Sequence, residues 1–247
     1  MKGVILSVCP DARIIDICHD VPPANIGHGA LVLKSLPGYF PPGTIHVAVV
    51  DPGVGSQRRP IAIEAGLDFW IAPDNGLLSA VLDREPEHAA FALTNCEYHR
   101  HPVSTTFHGR DIFAPVAGHL ASGVAIKTLG ERVSDLVRIN LPRPRFDGDQ
   151  LQPGVFRSDH FGNLITNLHQ KDFDQWQAQP LGSSAEVIVQ DRFIGLIQTT
   201  FSDVEPGQVV AYFGSAEYLE ISVRNGNAQE MFGSSPEIVV RRGKSPR

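Results

Sequence analysis

The first half of the chain alternates apolar strand-like runs with segments of helical spacing. Ile26, Ala30, Leu31 and Leu33 are spaced as on one face of a helix, and residues 75–86 and 112–120 also predict helices. β-Branched or apolar runs predict strands at 13–21, 43–53, 60–65 and 68–74, the last two forming a hairpin, while 3–10 fits either element. Strands with polar residues at one end predict an α/β layer, in which helices pack on a central, mostly parallel sheet.

The pattern changes after residue 141. Residues 142–153 contain Pro142, Pro144 and Pro153 and have no helical period, so we interpret them as an interdomain linker. Short β-rich runs separated by turn signals fill 154–247 and predict a smaller all-β barrel or sandwich. The expected organisation is an α/β domain over 1–141, a linker, and a β-rich domain over 154–247.

Composition narrows the function classes. The 247 residues contain no apolar run of the roughly 18 residues that a membrane span needs, and no secretory signal. Three irregularly spaced cysteines favour a reducing cytoplasm over a disulfide framework. A net charge of −6, with no basic run before the C-terminal tail, argues against nucleic acid as a partner. Neither HExxH nor another spacing of metal ligands occurs, which leaves a metal-dependent hydrolase as a distant alternative.

Polar side chains collect in three loops. Asp51 follows a strand, and a glycine-rich loop separates it from Arg58 in "DPGVGSQR". That loop has neither a GK[ST] ending nor GxGxxG, so it does not match a phosphate-binding loop. His108 lies at a strand-to-helix corner in "FHGRD", and Asp159 begins the turn "DHFGN". Taken singly, each segment is also compatible with ordinary turn chemistry.

Together, these motifs resemble one family over nearly the whole chain, the S-adenosyl-L-methionine hydroxide adenosyltransferases, hydrolytic relatives of the fluorinases and chlorinases. The segments in family order are "CPDARIIDICHDVPP", "GTIHVAVVDPGVGSQRRPI", "APDNGLL", "FHGRDIFAP", "DHFGNLITN", "TTFSDVEPG" and "YLEISVRNGNA". The resemblance implies that water attacks the 5′ carbon of S-adenosylmethionine and releases adenosine and methionine, without a cofactor. It places the family's catalytic trio on Asp51, Arg58 and His108.

The resemblance also implies the substrate contacts of the C-terminal domain. Asp159 would meet the α-ammonium group and Asn163 the adenine edge. Phe201 would stack on the adenine ring, the alternative being an ordinary core residue. Ser215 matches a residue near the methionine carboxylate, but Ala216 stands where the halogenases have an arginine, which puts recognition of that carboxylate in doubt.

Three positions bear on the reaction type. Where the halogenating relatives carry tyrosines, this chain has Asp51 and His108, and Gly109 replaces a serine that contacts the halide. The resemblance therefore implies the hydrolytic branch. Asn75 would lie near the site as a support for the loop. The family resemblance further implies a homotrimer, with each site between the N-terminal domain of one subunit and the C-terminal domain of the next.

The start of the chain departs from the family pattern. Family members usually begin with a strand and a "TDFG"-like turn whose aspartate holds the ribose hydroxyls, so about 20 residues are expected to be missing here. Two function classes follow. One is an active S-adenosylmethionine hydrolase; the alternative is a binding or vestigial protein with weak turnover, because a lost charged acceptor weakens ribose binding.

Overall fold

A computed structural model describes residues 1–36, 38–178 and 184–243. The chain divides into two compact units, Met1–Leu141 and Pro142–Arg247. Each unit is built around a sheet of its own, of five strands in the first and nine in the second.

Among its described residues, the first unit contains four α-helices and a five-stranded sheet. Its helices are α1 (Lys2–Val8), α2 (Ile26–Lys34), α3 (Ser79–Arg84) and α4 (Ala114–Ala121). Its strands are β1 (Ile45–Val47), β2 (Pro60–Ala65), β3 (Asp68–Pro73), β4 (His88–Ala92) and β5 (Arg132–Val133), in the spatial order β1-β3-β2-β4-β5. The two-domain α/β plus β fold expected from the sequence is thereby confirmed.

The sheet of the first unit is mixed, which corrects the expectation of a mostly parallel one. Among the described strands of this unit, β1 and β3 alone pair in parallel; the pairs β2–β3, β2–β4 and β4–β5 are antiparallel. The reason is local, since the short turn at Gly66, which has φ +62°, reverses the chain between β2 and β3. A tight hairpin of this kind can join only antiparallel strands.

Both faces of this sheet are covered. Successive side chains of a strand point to opposite faces, so Ile61 and Ile63 of β2 pack into one core, and Ala62 packs into another. The core of Ile61 includes Leu33 of α2 and Val81 of α3, whereas the core of Ala62 includes residues of α4. The helices therefore lie on both faces, as the apolar pattern predicts.

Residues 13–21 do not form the strand that their β-branched pattern predicts. No regular element is assigned between Cys9 and Asn25, and Ile15 and Ile17 are exposed. A β-branched run forms a stable strand only when a neighbouring strand pairs with it, and none of the described strands does so.

The second unit is a nine-stranded sheet with two short helices. Its strands are β6 (Arg145–Asp147), β7 (Gln150–Gln152), β8 (Val155–Ser158), β9 (Leu164–His169), β10 (Ala185–Val189), β11 (Arg192–Gln198), β12 (Val209–Phe213), β13 (Tyr218–Val223) and β14 (Ile238–Arg242). The spatial order is β6-β7-β14-β10-β11-β12-β13-β9-β8. Only the β11–β12 pair is parallel among the strand pairs described. One apolar core, which includes Leu164, Val187, Leu219 and Val240, lies against the sheet.

Two features of this unit differ from the sequence-based expectation. The expected linker at 142–153 contains the hairpin β6–β7, because Leu151 is fully buried in the core and β7 pairs with β14. Helices α5 (Gln170–Gln177) and α6 (Ala228–Phe232) interrupt the expected all-β pattern. In α5, Phe173 and Trp176 are three residues apart and share the buried face. Two apolar residues are too few to reveal a helical period in the sequence.

In the described ranges, no helix combines the length and the apolar character that crossing a membrane requires.

Candidate active site

Asp51 and Arg58 form a buried ion pair at the loop that follows β1. Arg58 Nε donates to Asp51 Oδ1 over 2.8 Å, and Arg58 Nη2 donates to Asp51 Oδ2. The side chain of Arg58 is only 7% exposed and that of Asp51 only 6%. Two parallel bonds of this kind fix the plane of the guanidinium group as well as its position. Six residues separate Asp51 from Arg58, and the loop that they form brings the two charged side chains together.

His108 lies on the other side of the same guanidinium group. Its Nδ1 atom is 2.8 Å from Arg58 Nη2. Arginine has only donors, so Nδ1 must accept this hydrogen bond. A neutral imidazole that accepts at Nδ1 carries its proton on Nε2. Burial lowers the pKa of His108, and the Arg58 charge lowers it further, both of which favour this neutral form.

The donors of Arg58 are not all used. Nε and Nη2 serve Asp51 and His108, whereas Nη1 is buried and has no hydrogen-bond partner among the described residues. The guanidinium carbon also lies 5.5 Å from the centre of the Phe113 ring. An unpartnered buried N–H is costly, and Nη1 can donate a further hydrogen bond.

The loop carrying Asp51 and Arg58 packs on the loop that precedes His108. Gly55 has φ +79°, and a Cβ atom built on it would lie 2.6 Å from the carbonyl oxygen of Thr105. Asn75 supports the start of the same loop, because its Nδ2 donates to Val50 O over 2.9 Å. The Thr105 contact explains why position 55 has a glycine, and the Val50 contact explains why position 75 has an amide side chain.

His108 immediately precedes a π-helical turn, Gly109–Phe113. Asp111, in that turn, is fully buried and accepts hydrogen bonds from Arg110, Arg100 and the backbone N–H of Ser104. The Arg110 hydrogen bond is the main reason that the pKa of Asp111 lies well below its usual range. Asp111 therefore ties the 100–111 loop together around His108. The sequence analysis did not select it, although the "GRD" triplet was visible.

Gly109 leaves little room for a larger residue. A Cβ atom on it would lie 3.2 Å from Met1 Sδ and 3.9 Å from Val49 Cγ1. The predicted site residues Asp51, Arg58, His108, Asn75 and Gly109 thus all belong to the first unit. Arg58 contacts both Asp51 and His108.

Asp159 and Asn163 are in contact in the β8–β9 turn of the second unit. Asp159 Oδ1 accepts from the backbone N–H groups of Phe161 and Asn163, and Oδ2 accepts from Asn163 Nδ2 over 2.8 Å. A carboxylate has about four lone-pair sites, so roughly one acceptor site is left on Oδ2. The turn therefore presents a carboxylate that can accept one further donor.

Phe201 and Ser215 are exposed in the same unit. The Phe201 side chain is 54% exposed in the turn Phe201–Asp203, so it is not the core residue that the alternative interpretation required. The neighbouring Thr200 and Asp203 form a capping box that holds this turn. Phe161, which the sequence analysis did not select, presents a second exposed ring beside Asp159.

Glu220 and Tyr212 are further polar residues that sequence reasoning missed. Tyr212 Oη donates to Glu220 Oε2 over 3.0 Å. Glu220 could have been identified from the sequence, because it is an acidic residue between Leu219 and Ile221 in an apolar strand. Across the described ranges, no three His, Cys, Asp or Glu side chains are grouped so that they could hold a metal ion.

Two family models match the chain. Residues 1–130 match the S-adenosylmethionine hydroxide adenosyltransferase N-terminal domain, and residues 154–241 match the C-terminal domain of the same family.

Individual relatives agree with these matches. The chain is 39% identical to an (R)-S-adenosyl-L-methionine hydrolase of Salinispora tropica, over 95% of this chain and 87% of the relative. It is 31% identical to a fluorinase of Nocardia brasiliensis, over 90% of this chain and 83% of the relative. A crystal structure of a conserved protein from Thermotoga maritima superposes with a TM-score of 0.89 at 32% identity, covering 98% of this chain and 93% of that one.

Proposed function

We propose, because the chain belongs to the S-adenosylmethionine hydroxide adenosyltransferase family, that it hydrolyses S-adenosyl-L-methionine at the ribose 5′ carbon. The products are adenosine and L-methionine. The relatives named as hydrolases are 33–39% identical to this chain, compared with 31% for the fluorinase of Nocardia brasiliensis. The similarity therefore favours water over halide as the nucleophile.

The difficult part of this reaction is the activation of the nucleophile, which is water. The C5′–S bond breaks with its electron pair going to sulfur, so the sulfonium becomes a neutral thioether and needs no general acid. Water is a poor nucleophile, and its oxygen must bond to C5′ while a proton is lost. The residues of the trio must therefore hold this water and stabilise the charge that it develops.

The unpartnered Nη1 of Arg58 is the observation that carries this proposal. It is a buried, permanently charged donor, and its guanidinium plane is held by Asp51. Donors fixed before the reaction stabilise developing negative charge without reorganisation. We assign Nη1 to the attacking oxygen.

His108 serves as a second donor rather than as the base. Because Nδ1 accepts from Arg58, the proton lies on Nε2, and that N–H can only donate to the water oxygen. Asp51 accepts from Nε and Nη2 of Arg58 and so holds the guanidinium plane toward the water. The proton that the water loses passes to solvent.

The second unit supplies the substrate contacts in this proposal. Asp159 has one acceptor site left for the α-ammonium group, Asn163 adjoins it for the adenine edge, and the exposed ring of Phe201 is available for stacking. Ser215 lies in an exposed turn suited to the methionine carboxylate. Asn75 and Gly109 shape the loops around the trio.

We also propose a homotrimer, located in the cytoplasm and working without a cofactor. The trio lies in the N-terminal unit and the substrate contacts in the C-terminal unit, which is compatible with sites shared between neighbouring subunits. The free thiols of Cys9, Cys18 and Cys96 are compatible with a reducing compartment.

The test is incubation of the purified chain with S-adenosyl-L-methionine, followed by chromatography for adenosine and methionine. Equal molar amounts of both products are expected, and isotopically labelled water should place its oxygen on C5′ of adenosine. Binding without product would support the binding-protein alternative instead. Product with the label in another position would rule out attack at C5′.

A further inference from the structure

Asp111 fastens both ends of the segment that carries His108. Its carboxylate is fully buried and accepts four hydrogen bonds, which is about as many as a carboxylate can accept. Arg110 Nε and Nη2 each donate over 2.7 Å, the backbone N–H of Ser104 donates over 2.9 Å, and Arg100 Nη1 donates over 3.2 Å. The backbone carbonyl of Asp111 also accepts from the N–H of Arg100 over 2.8 Å. One aspartate therefore closes this segment on itself.

His108 lies inside the closed segment, directly before a π-helical turn. Gly109–Phe113 forms that turn, and the N–H of Asp111 donates to the carbonyl of Phe107 over 3.0 Å. The guanidinium carbon of Arg110 lies 5.2 Å from the centre of the Phe107 ring. The residue before His108 and the turn after it are thus both held by Asp111 or by its partner Arg110.

The function proposed for His108 depends on where its ring lies. Its Nδ1 must accept from Arg58 Nη2, at 2.8 Å, if the proton is to stay on Nε2 and be donated to the attacking water. A displacement of about 1 Å near a reacting group can slow an enzyme about 100-fold. Asp111 is fully buried and its acceptor sites are all used, so it can influence the reaction through His108 but cannot contact the substrate.

We propose that Asp111 is a positioning residue for the hydrolysis of S-adenosyl-L-methionine, which holds His108 Nδ1 on Arg58 so that Nε2 donates to the water. This rests on the proposed function, because it names a residue that prepares the same site. Arg100 and Arg110 belong to the same arrangement, since their charges offset the cost of burying the carboxylate.

The test is a double-mutant cycle between Asp111 and His108. Asp111→Asn should lower kcat about tenfold to 100-fold with little change in Kd, because an amide N–H would face donors and release the segment. In a His108→Asn chain, the same change should lower kcat by no more than about twofold, because the group that Asp111 positions is already gone. Adenosine formation measures kcat, and calorimetric titration measures Kd together with the fraction of chains that bind.

The His108 imidazole supplies a readout that does not require turnover. In the wild-type chain, its nitrogen NMR signals should show the tautomer with the proton on Nε2. In Asp111→Asn they should move toward a mixture of both tautomers, because Nδ1 no longer accepts from Arg58 in every molecule. The His108→Asn spectrum identifies these signals among those of the 10 histidines, since it lacks them.

Asp74→Asn is the matched control. The Asp74 side chain is only 2% exposed, and it too accepts from an arginine, Arg59, and from a backbone N–H, that of Val137. It lies outside the segment that carries His108. The change should lower the Tm while kcat and the His108 signals stay at their wild-type values.

Arg110→Gln provides a second variant in case Asp111→Asn does not fold, because it removes two of the four hydrogen bonds from a side chain that is 42% exposed. Its loss of kcat should also disappear in the His108→Asn chain. Losses that multiply in the double variants, or an unchanged kcat in Asp111→Asn, would overturn the proposal. If the wild-type chain forms no adenosine, the proposed function itself fails, whereas the tautomer of His108 still shows whether Asp111 places the ring.

Discussion

Gly55 and Thr105 join the two loops of the proposed catalytic trio, Asp51, Arg58 and His108, since a Cβ atom on Gly55 would lie 2.6 Å from the carbonyl oxygen of Thr105. The contact sets the distance between the loop that carries Arg58 and the loop that carries His108. A change at Gly55 should therefore alter the reaction although Gly55 has no reactive group.

Gly55→Ala should lower kcat and destabilise the first unit. The φ of +79° costs an alanine about 1–2 kcal/mol, and the overlap with Thr105 adds to that cost by pushing the loops apart. Adenosine formation and thermal unfolding measure the two effects. Gly43→Ala is the control, because Gly43 has φ +85° and a Cβ atom on it would meet nothing within 4 Å. Equal losses in both variants would contradict a specific role for the Gly55 contact.

Arg58→Lys should lower kcat about 100-fold or more while Kd for substrate changes little. Lysine keeps the charge but cannot bind Asp51 through two bonds and also offer donors to His108 and the water. Single-turnover rates and calorimetric titration separate the two quantities. Arg59→Lys is the control. It replaces a guanidinium group that pairs with Asp74 and Asp135, outside the trio, so kcat should be retained. A collapse of binding in Arg58→Lys would make Arg58 a substrate ligand instead.

The pH profile should have an acid limb set by His108. Its pKa lies below the ordinary 6.5 because of burial and Arg58, so the imidazole is neutral at pH 7 and above. Protonation at lower pH places an N–H at Nδ1 against Arg58, so kcat/KM should fall as pH drops through that lowered pKa. His108→Asn should be slower and lose this limb. An unchanged limb in His108→Asn would assign the titration to another group.

Chelation should not affect turnover. The proposed activation of water uses Arg58 and His108, and the part of the chain that the structure describes has no cluster of metal ligands. Adenosine formation is measured after dialysis against a strong chelator, and again after a divalent metal is restored. Activity that disappears and then returns with the metal would replace the proposed mechanism with a metal-assisted one.

Mixing two impaired variants should raise activity above that of either one if the sites are shared between subunits, when adenosine formation is assayed at substrate concentrations far below KM. Arg58→Lys removes a residue of the N-terminal unit, and Asp159→Asn removes one of the C-terminal unit. Refolded together, each mixed trimer would contain one site in which both residues are intact. Light scattering gives the oligomeric state, and adenosine formation gives the recovery. Mixed trimers that stay inactive would place each site within a single subunit.

Local patterns in the sequence determined the two-domain fold and most of its elements. Helix α2 and the β2–β3 hairpin follow from apolar spacing and a glycine turn, which are properties of neighbouring residues. The linked motifs also identified the family, because seven segments in a fixed order are a far more specific signal than one glycine loop.

The tertiary structure determined the features that depend on contacts between residues distant in the chain. Residues 13–21 have a strand pattern but no pairing strand, and Leu151 draws an expected linker into a hairpin by its burial. Arg58 and His108 are fifty residues apart, and only their contact through Nη2 and Nδ1 decides which histidine nitrogen holds the proton. The placement of Glu220 and Arg157 on one face of the second sheet likewise arises from strand register across β13, β9 and β8. Hydrogen bonds and strand register bring together residues that are far apart in the sequence. The sequence could therefore identify candidate site residues, but only the fold shows which of their atoms donate and which accept hydrogen bonds.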